Sequence, residues 1–348
     1  MAELDETANA MVSGGRGILA ADESTGTIKK RFDSIGVANE EANRRAYREM
    51  LFRSEEAMRE CISGVILFEE TLTQKAEDGT PFVELLRGTN SIPGIKVDQG
   101  AKPADDLGGQ TNTHGLDGLP DRLADYREKG ARFAKWRAVL SIDDRLPTES
   151  AMRANADGLA RYAKACQDAG IVPIVEPEVV MDGEPGDHTL ARCEEVTGAV
   201  LRAVFEALAG ENVRLEGMVL KPNMVIDGSK RRQSGGGASV DEVAEATVRC
   251  LKSNVPAAVP GVAFLSGGQT EIEATAHLNA MVAGHDTPFA LTFSYGRALQ
   301  AAALKAWGGR SENVGAASRA FAHRARMNHL AALGQWDEAM EREAAAAA

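Results

Sequence analysis

Residues 149–178 read ESAMRANADGLARYAKACQDAGIVPIVEPE, and their two periodicities decide the architecture. Met152, Ala156, Leu159, Ala163 and Cys166 recur at three- and four-residue steps, which predicts a helix from Glu149 to Ala169 with one apolar face. Gly170 supplies the stop. The apolar run from Ile171 to Glu178 then reads as a strand buried on both sides, and Glu176 and Glu178, two apart, share one face at its end.

The same alternation continues in both directions. Predicted strands run from Gly17 to Asp22, Gly64 to Glu69, Gly94 to Asp98, Phe133 to Leu140, Ile171 to Glu178, Leu215 to Asn223, Gly261 to Gly267 and Pro288 to Tyr295. A further helix opens at Ser239, where Glu242 completes a capping box and Val240, Val243, Ala244, Thr247, Val248 and Leu251 follow on one face. Eight βα units in one chain predict an α/β fold, a (β/α)8 TIM barrel. Extra helices are expected near Glu3 to Met11 and from Ser311 to about Leu333, with a long glycine-rich loop from Gln99 to Pro120. A doubly wound open sheet uses the same units but places a glycine-rich dinucleotide turn after an early strand. Here the first strand runs into Ala21-Asp22-Glu23-Ser24-Thr25-Gly26, and Gly14, Gly15 and Gly17 precede it. No linker or repeat marks a second domain, so residues 1–348 are expected to form a single barrel domain, with 335–348 a mobile tail.

Composition narrows the function classes. A formal net charge of −12 argues against nucleic acid or an anionic membrane as partner, so any phosphorylated ligand must meet a local cluster of positive groups. The basic run Lys230-Arg231-Arg232 beside Ser234-Gly235-Gly236-Gly237 reads as a solvated loop. The longest apolar stretches, Gly64 to Phe68 and Ile171 to Val175, are too short to span a bilayer, and the first residues carry acids rather than bases. A cytoplasmic location is the expectation. Cys61, Cys166, Cys193 and Cys250 stand in no metal-ligand or redox spacing.

In a barrel the site forms where strands end, so charges there are read as chemistry. Asp22 closes the first strand on the face of Ile18 and Ala20. Lys96 and Asp98 close the third, Lys135 and Arg137 share a face of the fourth, and Lys221 ends the run Gly217-Met218-Val219-Leu220. Each alone reads equally well as half of an interior ion pair, but burying so many charges is costly in desolvation, and the set points to catalysis. Lys221 is the candidate amine nucleophile: burial and a neighbouring cation such as Lys135 both favour the neutral amine. Glu176 and Asp22 offer carboxylates for proton transfer. Ser266-Gly267-Gly268-Gln269 and Ser294-Tyr295-Gly296-Arg297 follow the last two strands, where barrels often cradle phosphate; the alternative is two plain helix-opening turns. Lys30-Arg31 with Thr27 reads either as a second phosphate site or as helix surface.

Seven segments in order resemble class I fructose-bisphosphate aldolase over nearly the whole chain. They are Gly17 to Gly26, Pro93 to Asp98, Phe133 to Arg137, Ile174 to Glu178, Leu220 to Met224, Leu265 to Gln269 and Phe293 to Gln300. The resemblance implies reversible cleavage of fructose 1,6-bisphosphate to dihydroxyacetone phosphate and glyceraldehyde 3-phosphate through a lysine Schiff base, with no metal and no other cofactor. Lys221 would form the imine, Glu176 would dehydrate the carbinolamine, Asp22 would take the C4 hydroxyl proton, and Lys135 and Glu178 would assist. Ser266, Gly267, Gly268, Ser294, Gly296 and Arg297 would hold the ketone phosphate. Arg31, Lys96, Arg137, Ser24 and Thr27 would face the rest of the phosphorylated sugar. A homo-oligomer, a tetramer by the resemblance, is expected.

Two departures stand out. Thr27 occupies a position where the family often has serine. Animal members end in a tyrosine that assists proton exchange, whereas this chain ends Glu341-Arg342-Glu343 and five alanines. A metal-dependent barrel enzyme is disfavoured because His114, His188, His277, His285, His323 and His329 fall in predicted loops and helices. A non-catalytic phosphate-binding scaffold is disfavoured because Lys221, Glu176, Asp22 and Lys135 are all present.

Overall fold

The computed structural model describes residues 2–181 and 186–342. Its strands are β1 (Gly17–Ala21), β2 (Ile62–Leu67), β3 (Ile92–Lys96), β4 (Ala101–Pro103), β5 (Thr111–Thr113), β6 (Phe133–Leu140), β7 (Val172–Val179), β8 (Val219–Leu220), β9 (Gly261–Phe264) and β10 (Ala290–Tyr295). Eight of them close a parallel barrel in the order β1-β10-β9-β8-β7-β6-β3-β2. The (β/α)8 expectation holds: helices follow the strands and cover the barrel, as parallel strands buried on both faces require.

The helices form where the apolar spacing put them. Glu149–Asp168 is capped by Thr148, whose hydroxyl accepts from the Ala151 N–H, and it buries Ala156, Leu159, Ala163 and Cys166 against the barrel. Burying one such leucine contributes about 1.5–3 kcal/mol. The capping box of Ser239 and Glu242 opens the helix Val240–Asn254 as expected.

Inside the barrel, strand parity builds two layers. Ile18, Ala20, Ile66, Phe133, Val172, Ile174, Val219 and Ala263 form an apolar floor with Leu4, Ala8, Met11 and Val12 of the N-terminal helix Ala2–Val12, which packs across the starts of the strands. Phe133 fills the centre: a Cβ on Gly94 would meet its ring at 2.2 Å and one on Gly64 at 2.9 Å. One residue pair further along the same faces come Asp22 above Ala20, Lys135 above Phe133, Glu176 above Ile174 and Lys221 above Val219.

The structure corrects several boundaries. The strand expected over Leu215 to Asn223 shrinks to Val219–Leu220 behind a short 3-10 turn, Leu215–Gly217, because Pro222 has no N–H to donate to a ladder. Lys221 keeps one more ladder bond, N–H to the Val175 carbonyl at 2.8 Å, and the Asn223 side chain accepts the Val179 N–H at 3.0 Å. Glu69, expected to end a strand, opens the helix Glu69–Thr73. The loop from Gln99 to Pro120 contains an antiparallel pair, β4 against β5, turned by Asp105–Leu107 and Gly108 in the left-handed region at φ 68°. The run Lys230-Arg231-Arg232 is a helix, Ser229–Gln233, rather than a solvated loop. Arg231 pairs with Asp227 at 3.1 Å, and Arg232 donates to the Gly268 carbonyl.

After the helix Val314–Ala332 the chain does not simply leave the surface. Trp336 N–H donates to Asn279 Oδ1 at 3.0 Å, and Glu341 accepts from Trp336 Nε1 and His323 Nε2, each at 3.0 Å, and from Arg324. Residues 335–342, expected to belong to a mobile tail, are thus tied to two helices, and 343–348 lie outside the described residues. No helix among the described residues is long and apolar enough to cross a membrane.

Candidate active site

The mouth of the barrel is a cavity of about 690 Å³ above the apolar floor. It brings together Asp22, Lys135, Glu176, Glu178 and Lys221 with Ser24, Thr27, Arg31, Lys96, Arg137, Ser266, Gly267, Ser294, Gly296 and Arg297. Gly268 and Lys30, also singled out from sequence, do not line it; Gly268 sits behind the rim at φ 73°, beside Arg232 and Thr270.

At the bottom stand two lysines and two carboxylates. Lys221, 4% exposed, places Nζ 3.1 Å from Glu176 Oε1. Lys135 Nζ lies 3.3 Å from Glu176 Oε2 and 2.8 Å from Asp22 Oδ2. The sequence reading set Lys135 beside Lys221 as a like charge; in the structure Glu176 stands between them and pairs with both. Burial alone raises the Asp22 carboxyl, but the Lys135 and Lys221 ammoniums overcome it and bring it down to about 2. Burial likewise disfavours the Lys135 ammonium, yet Asp22, Glu176 and Asp98 together hold it above the ordinary lysine range. Lys135 is therefore a fixed cation, and the row Asp22, Lys135, Glu176, Lys221 alternates in sign.

Around this row the rim is also paired. Arg137 donates Nε to Glu178, and that carboxylate keeps the guanidinium charged against burial. Lys96 Nζ is 2.7 Å from Asp98 Oδ1. Arg31 donates to Glu23, the residue after Asp22, and Ser24 caps the helix Thr25–Asp33, its hydroxyl 3.1 Å from that of Thr27. Arg297 is exposed and has no ion pair or side-chain hydrogen bond among the described residues. It begins the helix Arg297–Trp307, whose N-cap, Gly296, offers no side chain to the first N–H groups. An anion is favoured at such an end. Glycine is needed at two rim positions by close approach: a Cβ on Gly267 would lie 3.0 Å from Glu178 Oε1, and one on Gly296 3.3 Å from the Ala20 carbonyl. The Ser294 hydroxyl is buried without a hydrogen-bond partner among the described residues.

Sequence reasoning missed Glu23, Arg122 and Tyr126, which also line the mouth. Glu23 follows Asp22 and has the opposite strand parity, so nothing in the alternation pointed to it. Arg122 and Tyr126 come from the helix Leu119–Glu128, away from any strand end, and Arg122 reaches the mouth by donating to the Val97 carbonyl at 2.9 Å.

The chain is 53% identical over 335 residues to a probable fructose-bisphosphate aldolase class 1 from Xanthomonas campestris, covering 96% of this chain and 98% of that one. It is 52% identical over 345 residues to fructose-bisphosphate aldolase C of Mus musculus, covering 99% and 93%. The solved fructose-bisphosphate aldolase of Plasmodium falciparum, crystallised with TRAP and a small-molecule inhibitor, superposes with a TM-score of 0.92 at 49% identity over 97% of this chain and 95% of that one. The family model for glycolytic class-I fructose-bisphosphate aldolase matches residues 3–348, so the chain belongs to the class I fructose-bisphosphate aldolase family of lyases, whose reaction is the reversible cleavage of fructose 1,6-bisphosphate.

Proposed function

We propose that Lys221 carries this cleavage as the imine-forming amine, and the observation that carries the reading is its Nζ 3.1 Å from Glu176 in a buried mouth. Glu176 takes the ammonium proton, and the freed amine adds to the C2 carbonyl of the sugar. The same carboxyl returns a proton to the carbinolamine hydroxyl, which leaves as water, and the iminium forms. Asp22, ionised at any pH above about 2, accepts the C4 hydroxyl proton as the C3–C4 bond breaks. The electron pair passes into the iminium and leaves an enamine, which is then protonated at C3 and hydrolysed. Lys135 holds Asp22 and Glu176 apart and in place, and Glu178 holds Arg137 on the rim.

The ketone phosphate is assigned to Ser266, Gly267, Ser294, Gly296 and Arg297, where bare helix N–H groups and an unpaired guanidinium converge, with Gly268 behind them as the turn that follows Gly267. Arg31 and Lys96, with Ser24, Thr27 and Arg137, are assigned to the other end of the sugar. The family as a whole works without a metal ion, and the same metal independence, a cytoplasmic location and a homotetramer are proposed for this chain. Borohydride added with dihydroxyacetone phosphate tests the core of the reading: activity is expected to be lost irreversibly, with the reduced ketone found on the peptide carrying Lys221. Survival of activity, or label on another lysine, would remove Lys221 from its role.

A further inference from the structure

On one wall of the mouth lies a charge cluster of which the reaction described above uses only Arg31. Three guanidiniums, Arg31, Arg44 and Arg48, face two carboxylates, Glu23 and Glu70. Arg44 is committed, donating Nε and Nη2 to Glu70 at 2.8 and 2.6 Å. Glu23, 6% exposed, receives Arg31 through Oε1, and its Oε2 is buried with no hydrogen-bond partner among the described residues. Arg48 stands beside that orphaned oxygen. Its Nη2 donates to the Glu23 carbonyl at 3.1 Å but lies 3.6 Å from Glu23 Oε2, and its Nε and Nη1 are buried with no hydrogen-bond partner among the described residues. A buried guanidinium with open donors next to an open carboxylate oxygen is a costly arrangement that one small rotation would relieve.

The two arginines on Glu23 differ in freedom. The Arg31 side chain is 23% exposed and faces the mouth, whereas that of Arg48, carried on the helix Glu41–Phe52, is 1% exposed. Arg31 cannot serve both Glu23 and a phosphate in full. If it turned to a phosphate with no other cation at hand, it would strand an ionised, buried carboxylate.

We propose that Arg48 is the standby counterion of Glu23, closing on that carboxylate when Arg31 turns from it to the phosphate that the sugar carries far from the imine. This rests on the assignment of Arg31 to that phosphate. Arg48 touches no substrate atom; it is a positioning residue that acts through Glu23. Removing it leaves Arg31 on Glu23 and Arg44 on Glu70, so each carboxylate keeps a partner and the fold is expected to survive.

Steady-state kinetics of the full chain on fructose 1,6-bisphosphate and on fructose 1-phosphate, which lacks the distal phosphate, test this. Arg48→Met is expected to raise KM for the bisphosphate about tenfold, the worth of one charge-assisted hydrogen bond, and to leave KM and kcat for the monophosphate unchanged. Adding Glu23→Gln to that variant is expected to bring the bisphosphate KM back, because a neutral amide releases Arg31. Arg48→Lys keeps the charge and is expected to match the parent chain. Equal losses on both substrates with no rescue by Glu23→Gln would assign Arg48 to packing and overturn the proposal. An unchanged bisphosphate KM in folded Arg48→Met would overturn it too, and Arg48→Gln takes its place with the same expected split should the methionine variant not fold. Arg31→Ala separates the two readings. A loss confined to the bisphosphate there, with none in Arg48→Met, removes this proposal alone; equal loss on both substrates removes the phosphate assignment and this proposal with it.

Discussion

Replacing Lys135 by methionine, of similar length, removes the ammonium that Asp22 meets at 2.8 Å and Glu176 at 3.3 Å. In the parent chain burial lifts the Asp22 carboxyl, while Lys135 first and Lys221 second bring it down to about 2, below the ordinary value of 3.8. A depressed carboxyl stabilises the fold fully above its unfolded pKa near 4, and that contribution, about 2 kcal/mol, is lost as pH falls from 4 towards 2. Without Lys135 burial gains the upper hand, the carboxyl rises, and ionising it at neutral pH works against folding. Removing one partner of a buried pair costs about 3–5 kcal/mol. For 348 residues at about 2.1 cal/mol/K of unfolding entropy each, this corresponds to a Tm lower by about 4–7 °C at pH 7. The gap should narrow towards pH 3.5, because Asp22, no longer held down by Lys135, takes up a proton in the folded variant before it does in the folded parent chain. Calorimetric melting of both proteins between pH 3.5 and 7 measures it. A gap that stays constant, or widens as pH falls, would refute the assignment of Lys135 as the cation that holds Asp22 ionised.

Three further outcomes are expected. Arg297→Ala should raise KM for fructose 1,6-bisphosphate about tenfold or more and affect unphosphorylated analogues far less, since a charge-assisted contact is lost while Lys221 stays in place; equal loss on both would give Arg297 a structural role. Glu341→Gln should lower Tm by about 2–4 °C, because Arg324, 2% exposed, loses its carboxylate and Trp336 and His323 lose charged partners; an unchanged Tm would mean that the segment after Gly334 is not docked. His277 is held down to about 4, mainly by burial, against Glu273, so the unfolded chain binds a proton that the folded chain refuses. Stability should fall by about 3 kcal/mol as pH drops from 6.5 to 4, and His277→Gln should flatten that slope in urea titrations; an unaltered slope would show another group responsible.

The barrel was legible because its strands are buried on both faces and its helices on one, so two periodicities separate cleanly in stretches such as 149–178. The row at its mouth was legible for a related reason: Asp22, Lys135 and Glu176 each continue an apolar strand face, where a charge has no other ready explanation. Pairing across the mouth was not. Chain order in a barrel puts the strand of Glu176 between those of Lys135 and Lys221, but that its carboxylate pairs with both ammoniums depends on side-chain rotamers, which the linear pattern does not encode. β4 and β5, three residues each and largely polar, carry no alternation to read. The docking of Trp336 and Glu341 rests on partners in the helices Glu271–Gly284 and Val314–Ala332, and a charged, alanine-rich end gave no sign of them.

The barrel closes where its first strand meets its last, through Ile18 against Ser294 and Leu19 against Tyr295, and Gln300 locks the seam by donating to the Ala20 carbonyl at 2.8 Å. Asp22 stands on one side of that seam, and Ser294, Gly296 and Arg297 stand on the other. The catalytic mouth is therefore assembled from both ends of the chain. During synthesis, a ribosome that has already made Lys221, Glu176, Lys135 and Asp22 has made no closed mouth, since the wall assigned to the ketone phosphate has yet to emerge. An amino-terminal fragment stopping before Ala290 carries the whole charged row and nothing to close around it, and its exposed edges on β1 and β9 are ready to pair with another such fragment instead. The same seam that completes the site thus sets the interval in which an unfinished chain most needs protection from its own copies.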